Sequence, residues 1–260
     1  MSANARHSAR EPHDAFSLLR SSFVKWQLPA DLLDEIVERH IRISFEKGAL
    51  VFCEGNTDGL VACILSGYIK VCCPAGDASR TLVRIAGPGD LIGYPDFIDE
   101  KGRHARLFEA QAACRCAVGL FSREHLAGYL SALPPDELVQ LLETLNTAWS
   151  QNLQLYVALL NLPFLDRLRL VLSDLASRAG VRDAEGIVLI PEFGHEDLAQ
   201  MIGCSRPMVS RLLSEMADLR LITRRGKQYV LLDKWDFSCM RFLGRSVEAR
   251  ATPYPDPELF

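Results

Sequence analysis

The spacing of apolar residues changes character twice along this 260-residue chain. Residues 1 to about 15 are polar and carry no period, so they read as disordered. A helix is predicted around Leu32, Leu33, Ile36 and Val37, which fall at i, i+1, i+4 and i+5. From Ile41 short apolar runs alternate with glycine turns at 48, 55, 59, 67, 76, 87, 89 and 93, the texture of an all-β sandwich or barrel. Cys63 to Val71 reads as strand, tight turn, strand. Ala110 to Val118 reads as one strand, with Ala110, Ala112, Cys114, Cys116 and Val118 on one face because side chains alternate with period two.

After Phe121 the pattern turns helical. Pro134 and Pro135 open a helix that runs to about Leu160, with Pro163 beyond its end. Within it Leu138, Leu141, Leu145, Ala148, Asn152, Leu155 and Leu159 step alternately by three and four, a heptad stripe expected to form a dimer seam. A polar Asn152 in that seam would fix register and two-strandedness. A second stripe, Leu142, Trp149 and Tyr156, lies beside it, so that one stripe can cover the chain's own β domain while the other meets a partner helix. A third block starts near Asp166. It holds a helix with Leu168, Val171, Leu172 and Leu175, closed by Gly180, and a short strand from Ile187 to Ile190 that stops at Pro191.

Within that block, residues 195–213 have the spacing of a helix-turn-helix. Ala199 must be small where a second helix crosses, and Gly203 must take a left-handed turn conformation. Leu198, Ile202, Val209 and Leu212 pin the two helices together. Ser205 suits the N-cap of the second helix, and Pro207 falls in its first turn, where a missing N–H costs little. Val209, Leu212, Leu213 and Met216 make the buried face; Pro207, Ser210, Arg211 and Ser214 point away, with Arg206 at the leading edge. Arginine gives a bidentate contact to guanine in the major groove, and Arg206 and Arg211 are the candidates. Ser210 is expected to reach a phosphate or the backbone. Residues 221–231 read as a β-hairpin wing whose basic tip, Arg224, Arg225 and Lys227, would meet phosphates.

Charge sharpens this picture. The net charge is −4, yet Gly203 to Val230 holds six basic residues against two acidic ones. No apolar run approaches the roughly 20 residues that span a bilayer, and the N-terminal residues lack a secretory pattern, so the cytoplasm is the expected compartment, with no membrane partner. Eight cysteines stand at 53, 63, 72, 73, 114, 116, 204 and 239 without a Cys-x-x-Cys pair or zinc-finger spacing, and most read as small core hydrophobes. The chain has no Gly-rich phosphate loop, His-Glu-x-x-His or Gly-x-Ser-x-Gly elbow, and no catalytic or metal site is expected.

The order of blocks resembles the cyclic-AMP receptor/fumarate-nitrate regulator (CRP/FNR) superfamily of bacterial transcription regulators, over roughly residues 16 to 235. The marks are Lys47-Gly48, Phe52-Cys53-Glu54-Gly55, Ile64-Leu65-Ser66-Gly67 and Gly87-Pro88-Gly89-Asp90-Leu91-Ile92-Gly93 in the β domain. In the DNA-binding domain they are Ile202-Gly203-Cys204-Ser205-Arg206 and Val209-Ser210-Arg211. The resemblance implies an α+β fold with an N-terminal cyclic-nucleotide-binding-type β-roll (a double-stranded β-helix). A long dimerisation helix and a C-terminal winged helix-turn-helix would follow. The boundaries it suggests are a disordered N-terminus to 15, an effector domain over 16–130, the dimer helix over 131–162, the DNA-binding domain over 163–236 and a tail over 237–260. It further implies a homodimer on a near-palindromic operator in double-stranded DNA, and RNA polymerase as a partner where the protein activates.

Two departures modify what the resemblance implies. Cyclic-nucleotide-binding members carry a Glu for the ribose after the Gly93-type glycine, then an Arg-Ser or Arg-Thr pair for the phosphate about ten residues later. Here those positions hold Tyr94 and His104-Ala105, with Arg103 and Arg106 nearby but out of register. Gly93, Tyr94, Arg103, His104 and Arg106 are thus the candidate effector-pocket residues, and an effector other than cyclic AMP is expected. A cAMP- or cGMP-responsive regulator with a divergent phosphate cassette is the alternative. Further alternatives are haem held by His104 or a Cys, a thiol switch at Cys72-Cys73 or Cys114/Cys116, an unidentified small molecule, or no ligand. An iron–sulfur cluster is not expected, since no Cys precedes residue 53. Pro207 stands where the cyclic-AMP type has a Glu that reads a cytosine amine. A proline cannot accept from that amine, so the operator should differ at that base pair.

Overall fold

The computed structural model describes residues 41–56, 58–74, 80–93, 97–98 and 104–243. The predicted disordered N-terminus, the helix around Leu32 to Val37, Gly76, Tyr94, Arg103 and the tail after residue 243 lie outside these residues.

The β domain is two four-stranded antiparallel sheets. One has the order β1 (Ile41–Phe45), β10 (Cys116–Ser122), β3 (Leu60–Ser66), β6 (Leu91–Ile92). The other has the order β2 (Leu50–Phe52), β9 (Glu109–Ala112), β4 (Ile69–Pro74), β5 (Arg80–Ala86), and a small ribbon joins β7 (Phe97–Ile98) to β8 (His104–Ala105). Alternation turns Ile64, Ile69, Val71, Ala110, Ala112 and Val118 inward, where they meet Phe52 and Ile92 in one core between the sheets. The run from Ala110 to Val118 is not one strand. The chain bends at residues 113–115 and passes from the second sheet to the first. Because the bend takes an odd number of residues, Ala112 and Cys116 still face the same core. Cys114, in the bend, packs instead against the core that the β domain shares with the helices.

Helices follow. Ser122 caps α1 (Arg123–Ala132), its Oγ accepting the His125 N–H at 3.1 Å. Pro135 opens α2 (Pro135–Asn161), where its missing N–H would have had no partner. At 27 residues α2 is about 40 Å long. Then come α3 (Phe164–Ala179), β11 (Gly180–Arg182), β12 (Gly186–Leu189), α4 (His195–Ile202), α5 (Arg206–Asp218), β13 (Ile222–Arg225), β14 (Gln228–Leu232) and a 3₁₀ turn at Ser238–Leu243. The last four strands form a sheet of order β11-β12-β14-β13. Gly180 closes α3 as anticipated, in an extended conformation that leads straight into β11.

The two domains share a core. Tyr68, Cys72, Leu82 and Ile85 of the β domain join Leu168, Leu172, Leu198, Val209 and Met216 of the helical domain, with α3 and α4 packed against β5. Polar ties frame this contact. Lys70 Nζ donates to Asp197 Oδ1 at 2.5 Å, Lys47 Nζ to Glu192 Oε2 at 2.6 Å, and the Tyr156 hydroxyl to the Val83 carbonyl at 3.1 Å.

Candidate nucleic-acid interface

Helices α4 and α5 are joined by Gly203-Cys204-Ser205. Gly203 sits at φ 69°, ψ 43°, in the left-handed region. The nearest atom to a Cβ built there is Arg167 Nη1 at 3.9 Å, so the dihedral rather than crowding calls for glycine. Leu198, Ala199 and Ile202 of α4 and Val209, Leu212, Leu213 and Met216 of α5 are buried, which fixes the angle between the helices. Arg167 of α3 closes the helix ends. Its Nη1 donates to the Ile202 carbonyl at 3.2 Å and its Nε to the Leu162 carbonyl at 2.7 Å, so one guanidinium satisfies carbonyls at the ends of α4 and α2.

The outer face of α5 carries the candidate readers. Arg206, Pro207, Arg211 and Ser214 are exposed. Ser205 has the extended backbone of an N-cap, although its side chain makes no capping bond, and Pro207 lies in the first turn. Arg211 Nη2 lies 3.0 Å from Met208 Sδ one turn back. The Ser210 hydroxyl is engaged within the protein. It donates to the Arg206 carbonyl at 3.2 Å and lies 2.6 Å from His195 Nδ1 at the start of α4. Partial burial, then the charges of Arg224 and Arg206, hold the His195 pKa below the ordinary histidine value.

The wing is the β13–β14 hairpin, turned at Gly226-Lys227. Its three basic residues stand in different settings. Lys227 is exposed at the turn, and the Arg224 guanidinium stacks 4.8 Å from the Tyr229 ring centroid. Arg225 is tied back to the β11–β12 turn, with Nη1 at 2.5 Å from Asp183 Oδ2 and Nη2 at 2.8 Å from Glu185 Oε2. Those bonds lower the Asp183 pKa and raise that of Arg225.

Of the expected effector-pocket residues, Gly93 and Arg106 come together, and only the backbone of His104 is described, in β8. Arg106 is 2% exposed. Its guanidinium lies 3.6 Å over the Phe52 ring, pairs with Asp58 and donates to the Leu60 carbonyl at 2.6 Å and the Gly93 carbonyl at 3.5 Å. Gly93, at φ 81°, has no room for a Cβ, which would collide with Arg106 and Phe52.

Along α2, the stripe expected at the seam turns partly inward. Leu141, Leu155 and Leu159 are buried within the chain itself, Leu155 and Leu159 in the core shared with α3. Asn152 Oδ1 accepts from Arg178 Nη2 of α3 at 3.2 Å. Leu138 is half-buried, and the side chains of Leu145 and Ala148 are outside the description. The neighbouring stripe is the open one: Val139, Leu142, Leu153 and Leu160 are 53%, 55%, 63% and 77% exposed.

Residues 42–132 match the cyclic nucleotide-binding domain family, and residues 166–236 match the Crp-like helix-turn-helix domain family. The chain belongs to the CRP/FNR superfamily. It is a transcription regulator that binds DNA through its helix-turn-helix, and its relatives are regulators, not enzymes. The CRP-like cAMP-activated global transcriptional regulator of Mycobacterium tuberculosis is 26% identical over 196 residues, covering 74% of this chain and 84% of that protein. The nitrogen fixation regulation protein FixK of Azorhizobium caulinodans is 27% identical over 190 residues, covering 72% and 73%. The c-di-GMP responsive global regulator CLP of Xanthomonas campestris shares the fold, with a TM-score of 0.63 at 22% identity over 79% of this chain and all of that one.

A CRP/FNR cyclic-nucleotide site needs a guanidinium with donors left for a phosphate. The Nη groups of Arg106 already meet Asp58 and the Leu60 and Gly93 carbonyls. Three of the candidate thiols, Cys72, Cys114 and Cys116, are poor nucleophiles as they stand. Burial raises the pKa of Cys72 and Cys114, and pushes that of Cys116 up to about 12. No cluster of three or more His, Cys, Asp or Glu side chains suited to a metal occurs among the described residues. Nor is any described helix long and apolar enough to cross a membrane.

Sequence reading missed four contributors to this CRP/FNR architecture: His195, Arg167, Asp58 and the Asp183/Glu185 pair. Only His195, at the start of the helix-turn-helix segment, left a local signal.

Proposed function

We propose that this CRP/FNR regulator acts in the cytoplasm as a homodimer. It lays α5 of each subunit into the major groove of one half of a near-palindromic operator and answers to an effector other than cyclic AMP. The observation that carries this reading is the state of Arg206 and Arg211. Both are exposed on the outer face of α5, and among the described residues neither is held in an ion pair. Their forked donors match guanine O6 and N7. Pro207 between them offers no acceptor, so no cytosine amine is read at that step. Arg224 and Lys227 meet flanking phosphates, and RNA polymerase is the further partner if the protein activates.

The dimer face proposed here is the open stripe of α2. Val139, Leu153 and Leu160 share one heptad position, and Leu142 and Tyr156 the other. Asn146, exposed and in register with Val139 and Leu153, is the polar residue suited to holding two strands in register. The other stripe, through Leu155 and Leu159, supports the chain's own DNA-binding domain.

Two features support an effector other than cyclic AMP: Tyr94 and His104-Ala105 stand at the cassette positions, and the nearby Arg106 is paired with Asp58, with which a cyclic phosphate would have to compete. Selection from random-sequence duplexes, run with sedimentation of the protein alone, tests the whole reading. A dimer that enriches a guanine-containing inverted repeat is the expected result. A monomer, or the absence of any enriched repeat, would overturn it.

A further inference from the structure

We propose that His195 is a protonation-dependent phosphate contact, so that DNA affinity in this protein rises as pH falls. The inference rests on the DNA-binding reading above and concerns the same face. It starts from which atom of a three-residue chain holds which proton. The Ser210 hydroxyl spends its only hydrogen on the Arg206 carbonyl. With that hydrogen on the carbonyl, its oxygen accepts from the partner at 2.6 Å, His195 Nδ1, which then carries the ring hydrogen. This arrangement gives neutral His195 the Nδ1–H tautomer, with a bare lone pair on Nε2. A lone pair repels a phosphate oxygen. Protonation at Nε2 changes a repelling group into a donor with a full positive charge, without disturbing the Ser210 bond.

Position makes the phosphate the relevant anion. His195 is the first residue of α4, bonded across to the outward side of α5 beside Arg206, while Arg224 approaches from the wing. Those two arginines are the charged groups from the neighbouring elements that act on it. On its own helix, Glu196 is exposed. Asp197, about 200° further round, faces the β domain, where Lys70 holds it. Among the described residues no carboxylate is therefore paired with the imidazole. In the free protein the surroundings disfavour the cation; a phosphate is the missing counter-charge.

The sign follows by linkage. DNA phosphate favours the imidazolium, so the pKa of His195 is higher in the complex than in the free protein. Between the two values the complex holds a proton that the free protein lacks. Affinity rises as pH falls through the upper value and levels off below the lower one, with uptake of up to one proton per subunit.

The test measures affinity of the full-length protein and of His195→Gln for two probes, the selected operator and random-sequence duplex DNA, at about pH 6 and about pH 8 and at two salt concentrations. Wild type should bind both probes roughly tenfold or more tightly at the lower pH, with a steeper salt dependence there by about 0.9 per subunit. His195→Gln should be nearly flat with pH. Salt-dependent operator binding with no pH response in wild type would overturn the proposal and leave the regulator reading intact, as would an equal response in both proteins. Absence of salt-dependent binding in either protein would overturn both. An NMR titration of the His195 ring, with and without duplex, reads the same point directly. The pKa must move up on binding, and a value that stays or falls refutes the contact.

Discussion

Lys70 of the β domain and Asp197 of the first helix of the helix-turn-helix meet at 2.5 Å, and each side chain is only 19% exposed. The Asp197 carboxylate works at both oxygens, since Oδ2 also accepts the Gly194 N–H at 2.8 Å and so caps α4. One residue thus sets the start of the helix and its attachment to the β domain. Lys70→Met leaves the cap but removes the attachment, and should lower stability by about 1–3 kcal/mol. Hydrogen exchange should speed up in α4 and β5 while the core of the β-roll stays protected. Asp197→Asn should cost at least as much, because it weakens both bonds. In a double-mutant cycle the two substitutions should not add.

Arg225 gives a second expectation, with the opposite sign for function. Its guanidinium is shared between Asp183 and Glu185, so it is partly neutralised before any DNA arrives. Replacing both acids with their amides, Asp183→Asn with Glu185→Gln, should tighten binding to random-sequence duplex and steepen the salt dependence by roughly 0.9 per freed arginine. Acid has a related effect. The Asp183 pKa is depressed in the folded protein, so its pairing contributes above the unfolded carboxylate range and is lost as pH falls through the folded value. Salt-dependence measurements on the double amide variant check this directly.

The α2 helix makes a third. If the open stripe forms the dimer, Leu142→Asp with Leu153→Asp should give a monomer by sedimentation that keeps its helical content. Leu155→Ala should instead lower thermal stability by about 2–5 kcal/mol and leave the dimer assembled, since Leu155 is buried within its own subunit. Dimer loss from the second change rather than the first would return the seam to the stripe through Leu141 and Asn152.

These residues also mark how far the sequence alone could be read. The helix-turn-helix was legible because its requirements are local. Gly203 must take a positive φ, and Leu198, Ala199, Ile202, Val209 and Leu212 fall at spacings that a packed helix pair imposes. The alternation of small apolar residues located the strand region but hid the break at residues 113–115, because a three-residue bend preserves parity. The two heptad stripes of α2 differ by one position. Which of them faces home depends on where α3 lies, and periodicity carries no information about that. Arg225 looked like a free phosphate ligand for a similar reason: its acidic partners are 42 and 40 residues away in sequence. In the β domain, the departures at Tyr94 and His104-Ala105 were visible in residue types, whereas the Asp58–Arg106 pair, 48 residues apart, was not.

The central claim is that Arg206 reads a base. The most direct measurement compares wild type and Arg206→Ala on the selected operator and on random-sequence duplex at one salt concentration. Loss of a bidentate guanine contact in each half-site should weaken operator binding by about 1–3 kcal/mol per subunit, while random duplex binding changes by far less. Relaxed selectivity at a single symmetric guanine position should accompany the loss. An equal weakening on both probes would show that Arg206 contacts only phosphate, and would contradict the account.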